Sequence, residues 1–131
     1  MYGDVRGEAK IRQLARFRYQ LRKFLRFSER AARRAGVTPQ QHQLMLGVAG
    51  FNGRGWATVS ELAEFLQERH NAVVGLVERA RLANLVEKHP AAGDRRVVRV
   101  ELTSRGRSVL ARLSALHEAE VLGFRKRALG V

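Results

Sequence analysis

The chain has 131 residues, 45% of them hydrophobic and 28% charged, with no cysteine and a formal net charge of +13. That length suits one domain with a real core, and the cysteine count excludes disulfides, thiolate metal sites and cysteine redox sensing. No apolar run approaches the roughly 18–20 residues of a membrane span and no N-terminal apolar region marks a secretory signal, so a cytoplasmic chain is expected, one whose positive field attracts polyanions.

Residues 8–35 form the first periodic segment. Ile11, Leu14, Phe17, Leu21, Phe24, Leu25 and Ser28 recur at steps of three and four, which predicts a long amphipathic helix ending at Gly36. Arg12, Arg16, Lys23, Arg26, Arg30, Arg33 and Arg34 fill much of the remainder, so that face is solvated, or it meets a DNA backbone or an anionic surface. So long a stripe in so small a domain suggests burial against a partner subunit. In "VTPQQHQLMLGVAG", Thr38 and Gln41 make a capping box with Pro39 at the first helical position, and Leu44, Met45, Val48 and Ala49 supply the apolar face. Trp56 stands near a short strand and reads as a packing residue. A second capping box, Thr58 to Glu61, opens a short helix that turns Leu62, Ala63, Phe65 and Leu66 inward.

The next helix, about 69–83, buries Val73, Leu76, Val77 and Ala80. Asn71, Val74, Gly75 and Glu78 lie on the opposite face, with His70 at its first-turn edge, and Asn84 sits where a left-handed residue closes a helix. Leu85–His89 is strand-like and Pro90–Asp94 reads as a turn. From Arg96 onward the residues alternate, Val98, Val100 and Leu102 on one side, Val97, Arg99 and Glu101 on the other. Thr103 caps a last helix with the stripe Val109, Leu110, Leu113, Leu116 and Val121. The expected fold is mainly α with a small β-hairpin: a winged helix-turn-helix over 38–102, flanked by helical segments 8–35 and 103–129, in a single domain over 1–131.

In such a unit the second short helix enters the major groove and the hairpin reaches the backbone or the minor groove. Asn71 can pair with adenine or cap its helix, and His70 can meet a base edge or serve as a core or capping histidine. Arg69 is placed for phosphate, as are the Ser60 hydroxyl and backbone at a helix N-terminus. An exposed Gly75 permits close approach to DNA. His42, His89 and His117 have no metal-ligand spacing, so neither metal nor cofactor is expected. There is no nucleophile motif or paired-carboxylate signature, and "GFNGRG" follows a helix rather than a strand, so the chain does not read as an enzyme.

The stretch "TVSELAEFLQERHNAVVGLVERARLANLVEKHPAAGDRRVVRVELTSRG" resembles the core of the multiple-antibiotic-resistance regulator (MarR) family of bacterial transcription factors. The resemblance rests on Leu62-Ala63, on "VVGLVERA", on "LANLVEK", on Asp94-x-Arg96 and on "LTSRG", and the order of the flanking helices extends it over nearly the whole chain. Asn84 stands in place of a usual glycine, Arg69 in place of a capping Ser or Thr, and Ala72 in place of a frequent Thr or Ser. The resemblance implies that Arg96 reads the minor groove and that Asp94 fixes it. The strand alternation leaves Arg95 as the alternative reader, and Lys88 joins as a backbone contact.

The expectation is a homodimeric, sequence-specific regulator, a repressor, bound to a pseudo-palindromic double-stranded site. A non-specific architectural or RNA-directed binder is the alternative. The family's habit of binding small aromatic effectors suggests a pocket among Arg16, Phe17, Tyr19 and Trp56.

Overall fold

The computed structural model describes residues 5–91 and 93–131; at residues 91 and 94–96 it describes the backbone alone. The elements, in order, are α1 (Val5–Arg34), α2 (Pro39–Leu46), β1 (Trp56–Ala57), α3 (Val59–Leu66), α4 (His70–Leu82), β2 (Val86–Ala91), β3 (Asp94–Leu102) and α5 (Ser104–Phe124). Widened π-type turns extend α2 through Gly47–Phe51 and α5 through Arg125–Leu129. Both capping boxes form. Thr38 Oγ1 accepts from Gln41 N at 3.0 Å and Thr58 Oγ1 from Glu61 N at 3.2 Å, while the Gln41 and Glu61 side chains accept from the Thr38 and Thr58 N–H groups.

One core joins all the helices. Leu44, Met45, Val48, Leu62, Val73, Val77, Ala80, Leu85, Val100, Val109 and Leu113 are buried in it. Gly47 belongs there for a steric reason: a Cβ on it would lie 2.7 Å from the Phe65 ring.

The small sheet has three antiparallel strands in the order β1-β3-β2, so Trp56–Ala57 completes what the sequence presents as a hairpin. The β2–β3 pairing runs from Val86–Leu102 to Pro90–Val98 and then steps to Ala91–Asp94. Pro90 and Asp94 are therefore strand residues, and the expected turn at 90–94 shrinks to its centre, where Gly93 takes φ +83°. Pro90 is tolerated because β2 is an edge strand. That same step passes three β3 residues, 95–97, against none on β2. Such a bulge interrupts side alternation, so the parity argument that weighed Arg95 against Arg96 does not carry past Val97.

At the other end of the hairpin, Asn84 takes φ +59°, as expected of a left-handed helix-closing residue. Asn84 O accepts from Thr103 Oγ1 at 2.7 Å and Leu85 O from Thr103 N at 3.1 Å, which ties the end of α4 to the start of α5. The glycine of "LTSRG" is explained here, because a Cβ on Gly106 would sit 2.1 Å from Leu85 O.

The long stripes divide unevenly. In α1 the buried residues are Gln20, Ser28, Ala31 and Ala32, whereas Ile11, Leu14 and Leu25 are exposed. In α5 the first half of the stripe is buried, and Leu116 and Val121 are exposed. Each helix thus carries more apolar surface than this subunit covers.

Candidate nucleic-acid interface

The helix-turn-helix consists of α3, a three-residue turn at 67–69 and α4. Gln67 closes α3 in the left-handed region at φ +54°, and its side-chain amide donates to Glu64 O at 2.7 Å. Arg69 occupies the N-cap of α4 and makes no side-chain capping bond, so its side chain leaves the first-turn N–H groups open. His70, Asn71 and Val74 are exposed on that turn and the next. Gly75 differs from expectation. It is half-buried because the Arg79 guanidinium lies over it, 3.2 Å from where a Cβ would stand.

A groove of about 340 Å³ brings Thr58, Val59, Ser60 and His70 together with Val97 and Val98 of β3. The exposed Ser60 at the start of α3, the start of α4 and the base of the wing therefore share one opening. Lys88 lies apart from it. Its Nζ is 3.3 Å from Glu78 Oε2, beside the C-terminal half of α4, and the same carboxylate accepts from Arg81 at 2.6 and 3.0 Å. Those bonds, Arg81's first, hold Glu78 down to about 2. Glu78 thus holds two cations. The side chains of Asp94, Arg95 and Arg96 lie outside what the structure describes.

Trp56 is more than a packing residue. The Arg54 guanidinium lies 3.6 Å from its ring centre and that of Arg99 4.3 Å, a double cation–π contact. Arg54 also pairs with Glu61, the capping carboxylate of α3. Strand β3 is thereby fastened, through Trp56 and Arg54, to the start of α3.

The expected effector pocket is not assembled. Arg16 and Tyr19 are exposed, Phe17 packs on Phe124 with centroids 6.0 Å apart, and Trp56 belongs to the arginine stack. A different cavity, of about 650 Å³, opens between α1, α2 and α5, lined by residues including Phe24, Ser28, His42, Leu46, His117 and Val121. His117 Nδ1–H donates to Leu113 O at 2.7 Å, leaving Nε2 to accept from the Ser28 hydroxyl at 2.9 Å. His42, its ring 5.1 Å from that of His117, is 2% exposed, and its Nδ1 is buried without a hydrogen-bond partner among the described residues. Burial, then the neighbouring His117, pushes His42 down to about 4. Sequence reasoning treated these histidines as isolated; they lie 75 positions apart, and only the fold pairs them.

Comparison with known proteins agrees with this geometry. The MarR family model matches residues 35–97. AbsC, a MarR family transcriptional regulator from Streptomyces coelicolor, superposes with a TM-score of 0.75 at 18% identity, over 95% of this chain and 81% of AbsC. A mutant MarR from E. coli complexed with operator DNA gives 0.70 at 20% identity, over 95% of this chain and 86% of that one. The M. tuberculosis transcriptional regulator MOSR in complex with DNA gives 0.64 at 26% identity, over 82% and 76%. A search of curated protein sequences returns no match.

Proposed function

We propose that this chain, which matches the MarR family model over residues 35–97, is a homodimeric, sequence-specific DNA-binding regulator acting as a repressor. The observation that carries this reading is the shared opening of α3, α4 and the wing base, with the uncapped first turn of α4 exposed beside it. In this reading α4 enters the major groove, with Asn71 and His70 at base edges and Val74 against a thymine methyl. Ser60 and Arg69 hold phosphates. The wing inserts Arg96 into the minor groove, with Asp94 as its anchor and Arg95 on the backbone.

The uncovered apolar residues Ile11, Leu14 and Leu25 of α1 and Leu116, Val121 and Leu122 of α5 support a second copy as the partner. Two-fold symmetry then sets two half-sites about 10 bp apart. The cavity floored by His42 and His117 takes a small aromatic effector, whose binding shifts the spacing of the two α4 helices.

Selection from a randomised duplex pool by the full chain tests this. An enriched pseudo-palindrome is expected. Tight binding with no enriched sequence would overturn the reading in favour of an architectural binder.

A further inference from the structure

The positive charge is not where DNA is read. Residues 35–102, the winged segment, hold eight Lys/Arg and seven Asp/Glu, a formal +1. Helix α1 alone holds eleven Lys/Arg and two Asp/Glu, a formal +9 of the chain's +13. Within the winged segment several cations are also engaged: Arg81 and Lys88 by Glu78, Arg54 by Glu61 and Trp56, and Arg99 by Trp56. Phosphate neutralisation supplies most of a DNA-binder's sequence-independent affinity, and a near-neutral segment has little of it to give.

At 100° per residue, Arg12, Arg16, Lys23, Arg30 and Arg34 fall within about 40° of one another along about 33 Å of α1. Arg22, Arg26 and Arg33 widen this stripe, and all eight are exposed. The five-residue stripe lies about 40° or more from the buried line of Gln20, Ser28 and Ala31 and about 100° or more from the apolar edge of Ile11, Leu14 and Leu25, which Arg22 borders. A second copy does not suit it, since two such faces would repel.

We propose that this stripe is a second DNA-backbone surface, which binds phosphates beyond those reached by α4 and the wing. The inference rests on the DNA-binding reading above. DNA fits better than an anionic membrane for two reasons. Arginines outnumber lysines nine to two in α1, and the guanidinium fork matches phosphate. A membrane-surface helix must also bury an apolar face in lipid, whereas the inner face of α1 packs on α5 through Phe17 and Phe24 against Phe124, and its exposed edge of Ile11, Leu14 and Leu25 goes to the second copy in the dimeric reading.

The test replaces Arg12, Arg16, Lys23, Arg30 and Arg34 with Gln in the full chain. Affinity is measured against salt on two duplexes, the selected site with flanking turns and a random sequence of equal length. Each lost phosphate contact should flatten the log–log salt slope by about 0.9, so a change of up to about 4.5 per subunit, or about 9 for the dimer, is expected. Affinity should fall equally on both duplexes, and their ratio should hold. An Arg12→Gln/Lys23→Gln pair should give a proportionate part of the change, and a set with every arginine of the stripe replaced by lysine should keep the wild-type slope.

Unchanged slopes in the Gln variants, while the wild type still selects its site, would overturn the inference and leave the proposed function standing. A wild type that binds neither duplex would overturn both. Sedimentation with vesicles of phosphatidylserine and phosphatidylcholine covers the remaining case: charge-dependent vesicle binding with an unchanged DNA slope would assign the stripe to membranes and overturn the proposal.

Discussion

The winged segment and the helices that flank it divide two tasks that are often merged in a basic DNA-binding protein. The winged segment is close to neutral and spends its cations on internal geometry, such as the Arg54–Trp56–Arg99 stack and the Glu78 clamp. The flanking helices carry nearly all the net charge and much of the exposed apolar surface. Formal charge and reading surface are therefore separable, and a total of +13 by itself locates neither. The physical reason is that base discrimination needs a fixed geometry, which paired ions supply, whereas non-specific affinity needs only unpaired charge near phosphate.

The largest expected effect is at the joint between the two regions. Gly106→Ala pushes a Cβ into Leu85 O, and neither backbone can yield cheaply. A loss of about 3 kcal/mol is expected in denaturant unfolding, near the upper end for overpacking. A wild-type midpoint would mean that the winged segment and α5 are not mechanically coupled there.

Next comes His42, buried where the flanking helices meet the winged segment. Its unfolded value is 6.5 and its folded value about 4, so the unfolded chain binds the proton first as pH falls. Stability is full above pH 6.5 and drops progressively down to about pH 4, by about 3 kcal/mol in all. Unfolding curves at pH 7 and pH 5 should differ, and His42→Leu should narrow the gap. An identical pH dependence in the variant would place the titration elsewhere.

Asn71→Ala tests the reading half directly. Discrimination of the selected site should fall by about 1–3 kcal/mol while affinity for random duplex stays nearly constant. Equal losses on both duplexes would make Asn71 a helix-start residue and not a base reader. The smallest effect belongs to Glu78→Gln, which releases Arg81 and Lys88. The salt slope should steepen by about 0.9 for each released cation that finds a phosphate. No change would show that these cations lie beyond reach of DNA, and would sharpen the division between the two regions.

Much of the fold was legible along the chain. Thr38-Pro39-x-Gln41 and Thr58-x-x-Glu61 are local devices whose partners sit three residues away, so the residues specify both helix starts without help from the fold. The periodicity of α4 similarly separated its buried Val73, Val77 and Ala80 from the exposed Asn71 and Val74. The cavity between α1, α2 and α5 was not legible, because aromatic residues on one helix do not say what lies opposite them. Phe17 met Phe124, and Trp56 met two arginines.

The sequence by itself determined the element types, the caps, the exposed face of α4 and the total charge, since these follow from spacing, backbone preference and composition. Only the tertiary structure decided that His42 meets His117, that Gly106 lies against Leu85, that the wing register steps at Pro90 and that Glu78 claims Lys88. Each of those joins residues distant in the chain or depends on strand pairing, and side-chain contacts of that kind are set by how elements pack and not by what either element prefers alone.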